Sequence, residues 1–128
     1  MSISTKNRRK LIFGEREFVW YVKEDSDSAD MVLHVASRDK QFIVLYHLRQ
    51  PSETRFLTVL GKRFSGLPDA GGVWIRVLCP EFETNFIVTP RNVRDLIEWC
   101  LSDKRELVRV DWLGRPLKSE LVPSQIGV

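Results

Sequence analysis

A chain of 128 residues is enough for one compact domain and too short for two ordinary ones. With 43% hydrophobic and 29% charged residues it falls outside disordered, collagen-like and membrane-spanning compositions. Twenty Lys and Arg against seventeen Asp and Glu leave a formal charge of +3, a mild excess that favours solubility and weak attraction to anions without marking a nucleic-acid binder.

The chain opens on a polar, basic stretch containing Lys6, Arg8, Arg9 and Lys10, so residues 1–9 read as a flexible basic arm. The apolar run that follows is only Leu11-Ile12-Phe13. That is too short for a signal peptide or a membrane span, and it predicts a cytoplasmic protein with no membrane partner. Leu11–Phe13 and Glu17–Val22 flank Gly14-Glu15-Arg16 as a tight hairpin. In the second strand Phe18, Trp20 and Val22 share one face and Val19 and Tyr21 the other, so both faces are apolar, as in a strand covered on two sides or set in a barrel wall.

Residues 23–30 are a solvated loop carrying Asp25, Asp27 and Asp30. Met31–Ala36 and Phe42–Leu48 form the clearest hairpin. A turn about Asp39-Lys40 would set Val32 opposite His47 and His34 opposite Leu45. Phe56–Leu60 is a further strand, and residues 61–72, with four glycines and Pro68, make a long loop. Val73–Leu78 and Phe86–Val88 are predicted strands. Thr89 then caps a helix over Pro90–Leu101, with Val93, Leu96, Ile97, Cys100 and Leu101 as one apolar stripe. Leu107–Trp112 is the last strand, and residues 114–128 read as a loosely ordered tail.

The sum is an α+β domain over residues 10–113. About eight strands in adjacent hairpins predict a strongly curved, mainly antiparallel sheet, a barrel being one form it could take, with one long C-terminal amphipathic helix packed on it. An uncovered sheet edge would allow a homodimer as well as a monomer.

Candidate chemistry is sparse. His34 and His47 share one sheet face and could form a small metal or acid/base site, but no third ligand is evident, and two half-buried packing histidines are the plainer expectation. Cys79 and Cys100 form no C-x-x-C pair and read as structural thiols of a reducing compartment. The loop 61–72 carries Lys62, Arg63, Asp69, Gly71 and Gly72, which could hold an anion. It is not a Walker A loop, because Gly71-Gly72 runs into a strand, and Phe64 and Leu67 suit a plug over the core. Four tryptophans are many for this length. Those on predicted strands, Trp20, Trp74 and Trp112, are expected in or beside the core, and Trp99 on the helix is the one to expect at a contact surface.

Segments 18–22, 66–72 and 96–100 resemble those of a small bacterial family, a resemblance that implies no activity. The leading expectation is a non-catalytic binding or adaptor domain without a cofactor. It would recognise a protein or a small anionic ligand through Lys62, Arg63, Asp69, Gly71, Gly72 and Trp99. A weak nucleic-acid binder using the basic arm and the helix-end residues Arg91, Arg94, Lys104 and Arg105 is the alternative.

Overall fold

The computed structural model describes residues 8–24, 30–67, 71, 74–83, 87–102 and 107–117. Strands β1 (Arg9–Phe13) and β2 (Arg16–Glu24) meet across Gly14-Glu15. Both turn residues have positive φ, 57° and 68°, the two-residue turn whose twist matches that of the strands it joins. Strands β3 (Met31–Ser37) and β4 (Ile43–His47) pair in the predicted register, Val32 with His47 and His34 with Leu45. Their turn is fixed by Asp39, which accepts from Ser37 Oγ at 2.6 Å and from the Gln41 N–H at 3.0 Å. Those two bonds, the Ser37 hydroxyl foremost, hold the Asp39 carboxyl below the usual carboxylate range.

A short 3-10 turn, Ser52–Thr54, leads into β5 (Phe56–Val59). Gln50 clamps this connection. Its amide donates to the His47 and Phe56 carbonyls at 2.9 and 2.7 Å and accepts from the Phe56 N–H at 3.0 Å. Strand β6 (Ile75–Leu78) follows, and after the helix comes β7 (Arg109–Val110). Residues 114–117, expected in the loose tail, turn back along β7. Val110 bridges Pro116, the Leu117 N–H donates to the Arg109 carbonyl at 3.0 Å, and Asp111 accepts the Leu113 and Arg115 N–H groups.

The strands are ordered β1 to β7 in sequence, each antiparallel to its neighbour. This corrects the expected shape. A barrel requires the first and last strands to pair, whereas β1 and β7 are opposite edges of an open sheet that is neither strongly curved nor barrel-like. Closure is unnecessary because another layer seals the apolar side. Helix α1 (Pro90–Leu101) starts at the predicted cap, with Asn92 N–H donating to Thr89 Oγ1 and Thr89 N–H to Asn92 Oδ1 at 3.2 and 2.9 Å. It buries Val93, Leu96, Ile97 and Cys100 in one cluster with Phe18, Val35, Val44, Leu57 and Val77. Leu101 is half-buried at the margin.

Among the described residues seven strands form, where about eight are expected. Residues 84–86 lie outside the described residues, and Ile87 and Val88 lie outside the strands. The expectations for residues 1–7 and 118–128 also fall outside them, while Arg9 is the first residue of β1. No helix among the described residues is long and apolar enough to cross a membrane.

Candidate binding face of the sheet

Alternation along each strand gives the sheet two unlike faces. One meets α1. On the other, the registers align Tyr21, His34, Leu45, Thr58, Arg76 and Val110 in a row across β2 to β7. No helix among the described residues crosses this row. The Tyr21 and His34 rings stack at 4.6 Å and 7°, and the Arg8 guanidinium lies 4.9 Å from the Tyr21 ring centre. One row along, His47 leans on Phe56 at 6.5 Å. At the β6–β7 end Trp74 and Trp112 are 63% and 67% exposed, opposite to the expectation of core positions, whereas Trp20 on the covered face is 5% exposed.

Two hollows lie over this row, and a third of about 320 Å³, lined by Trp74, Arg76, Asp111 and Trp112 among others, adjoins its β6–β7 end. One of about 310 Å³ lies over Tyr21, His34 and Leu45, with Arg8, Arg38 and Lys40 at its rim. The other, about 620 Å³, lies over Leu45, Phe56 and Thr58, with Trp74, Trp112 and Arg76 also lining it. Among the described lining residues of these two, Arg8, Arg38, Lys40, Arg49 and Arg76 are basic, and Asp30 alone is acidic. Arg38 also reaches Glu17 at 3.2 Å.

The covered side holds a polar node that sequence reasoning missed. The Tyr46 hydroxyl, fully buried, donates to Glu83 Oε1 at 2.5 Å and accepts from Arg55 Nη1 at 2.8 Å and the Phe82 N–H at 3.2 Å. Glu83 Oε2 takes the Arg49 N–H at 3.0 Å, and Arg55 Nη2 donates to the Gln50 carbonyl at 2.8 Å. Burial works against the Glu83 charge, yet the Tyr46 and Arg49 bonds and the Arg55 charge prevail and hold its carboxyl below the usual range. Burial and the Glu83 bond push the Tyr46 phenol up, and burial pushes the Cys79 thiol up. With Arg55 and Glu83 only 6% and 4% exposed, the node welds the Phe82–Glu83 segment to β4 and β5. The signal was parity. Arg55 continues the inward series of Leu57 and Val59, a place where a charge must find a partner.

The predicted site residues are dispersed. Phe64 and Leu67 are buried and plug the core, with Ser65 N–H bonded to the Cys100 carbonyl at 3.1 Å. Gly61 lies so close to Gln41 and Ile43 that a Cβ would sit 2.5 Å from the Gln41 carbonyl oxygen, which locks the loop's start against the β3–β4 turn. Lys62 is exposed, Arg63 is half-buried and 3.7 Å from Asp39, and Gly71 is exposed beside Lys62. Asp69 and Gly72 lie outside the described residues, as do Lys104 and Arg105. Arg63 lines a separate hollow of about 650 Å³ with Arg16, Glu17, Ser37, Arg38 and Asp39. Trp99 is half-buried, its ring set edgewise between Phe64 and Phe82. Arg91 is exposed, and Arg94 lies 5.9 Å from the Phe13 ring centre. His34 and His47 sit diagonally as predicted, and no group of three or more His, Cys, Asp or Glu among the described residues could hold a metal.

No protein-family model, curated protein or solved structure matches the chain, and the resemblance of three segments to a bacterial family assigns it to none; the described residues form an α+β domain with a C-terminal helix on an open antiparallel sheet.

Proposed function

We propose that the chain is a small non-catalytic binding module whose recognition surface is the face of the sheet away from α1. The observation that supports this most is the pair of exposed indoles, Trp74 and Trp112, walling one hollow. Tryptophan gains much from burial and is enriched where partners dock, and two of them exposed about one concavity suit a partner that covers both. The histidines support the non-catalytic reading, since each has an aromatic ring as a neighbour. The unlinked thiols Cys79 and Cys100 support a reducing, cytoplasmic setting.

Loop 61–72 keeps a second role in this reading. Phe64 and Leu67 are spent on the core, while Lys62 stays exposed and Arg63 lines the hollow in which Arg16, Arg38 and Arg63 outnumber Glu17 and Asp39, a place for a small anion. A photo-crosslinking residue at Trp112, at Lys62 or at Arg91 on the helix tests both readings in the native host's extract. Crosslinks from Trp112 alone are the expected result. Crosslinks from Lys62 alone would transfer recognition to the loop, and crosslinks only from Arg91 would defeat both.

A further inference from the structure

We infer that the partner of this face is a single-stranded nucleic acid, an inference that rests on the sheet-face reading and adds the ligand's chemistry. Two features carry it. The first is spacing. Tyr21 and His34 stand on β2 and β3, while Trp74 and Trp112 adjoin β6 and β7, so the two aromatic stations are about 20 Å apart across the strands. That distance suits a few consecutive nucleotides of an extended strand whose bases stack on rings. The second is charge. Arg76 lines the hollow that the two indoles wall, Arg8 caps Tyr21, and Arg38 and Lys40 line the hollow over Tyr21, so each aromatic station has cations beside it, as a nucleic-acid strand has phosphates beside its bases.

Other occupants fit less well. A second copy of the chain would bring this basic face against its own like charges, with only Asp30 among the lining residues of the two hollows to offset them. A duplex would match the cations but keep its bases stacked away from Tyr21, Trp74 and Trp112. An acidic peptide would meet the charge without a regular series of planar groups for the rings. The helix-end arginines play no part in this site, because α1 lies on the opposite face.

The test is fluorescence anisotropy of the whole chain with labelled 12-nucleotide oligouridylate and oligothymidylate, a 12-base-pair duplex, and labelled polyglutamate, at 50 and 200 mM salt. The single strands should bind at least about tenfold more tightly than the duplex. With about three phosphates neutralised, affinity should fall roughly twentyfold over that salt range. Trp74→Ala and Trp112→Ala should each weaken single-strand binding about fivefold or more, with unchanged thermal melts showing that the fold is intact. Arg91→Ala should leave it unaltered.

Absence of single-strand binding at 50 mM salt, equal duplex binding, or indifference to both tryptophan changes would each overturn the inference. Polyglutamate binding in place of oligonucleotides, or Trp112 crosslinks to a second copy of the chain, would overturn it while leaving the sheet face as the recognition surface. Failure of both the oligonucleotides and the Trp112 crosslinks would remove the sheet-face reading itself.

Discussion

Along β4, Val44 and Tyr46 are fully covered while Leu45 and His47, each one residue away, are half-exposed. The same contrast holds along β6, where Ile75 and Val77 are buried and Arg76 and Leu78 are not. Both faces carry apolar side chains, but among the described residues only one is packed against a helix, and on the other Val32, Thr58 and Val110 are buried while their neighbours are not. Stability therefore concentrates on the α1 face, which holds the core cluster, and every buried side-chain polar atom among the described residues has a partner. Substitutions should divide accordingly, those on the covered face unfolding the domain and those on the open face changing what it binds.

The largest effect should come from breaking the buried node. Glu83→Ala leaves the Tyr46 hydroxyl without its acceptor and removes the buried counter-charge of Arg55, and should cost about 3–5 kcal/mol, lowering the melting temperature by on the order of 10–20 °C. Chemical denaturation measures it, and a loss under about 1 kcal/mol would mean that Glu83 is not buried as described. The node also sets a pH dependence. The folded Glu83 carboxyl sits below its ordinary value near 4.5, so its stabilisation is complete above that value and is lost as pH falls through the folded one. Wild-type stability should drop on acidification below about pH 5 more steeply than that of Glu83→Gln, and parallel curves would discount the linkage.

Next comes the layer that makes one face a core. Leu96→Ala removes a fully buried side chain beneath the helix and should cost about 2–5 kcal/mol by urea melts. A smaller loss would show that the helix is only lightly docked. Thr89→Ala deletes one half of the reciprocal cap and should cost about 1 kcal/mol, read as a small shift of the same melt.

These expectations also mark what was legible in the sequence. The β3–β4 register was readable because alternation and the Asp39 turn are local, and α1 was readable because its cap and stripe lie within a dozen residues. Barrel closure was not readable, since it depends on whether β1 meets β7, a pairing that no local pattern encodes. Trp74 and Trp112 were misplaced for a related reason. Strand parity tells which residues share a face, but whether that face receives a covering layer depends on where α1 docks. Arg55 escaped because it stands one residue before β5, where the inward parity continues after the regular strand has ended.

The smallest expected stability change belongs to the open face, and it is the sharpest test of the contrast. Trp74 and Trp112 are mostly solvent-exposed already, so the double change Trp74→Ala, Trp112→Ala removes little buried area and should move stability by no more than about 0.5 kcal/mol. The covered-face tryptophan should behave differently. Trp20→Ala should cost about 3–5 kcal/mol, because that indole is buried among Leu11, Leu33 and Val35 in the core cluster. Denaturant melts of the two variants side by side decide the matter. A wide gap means that the chain keeps two indoles on its surface at no structural benefit, as the proposed recognition surface requires. Comparable losses would mean that Trp74 and Trp112 are held in a second core, and the open face would cease to be a candidate for recognition.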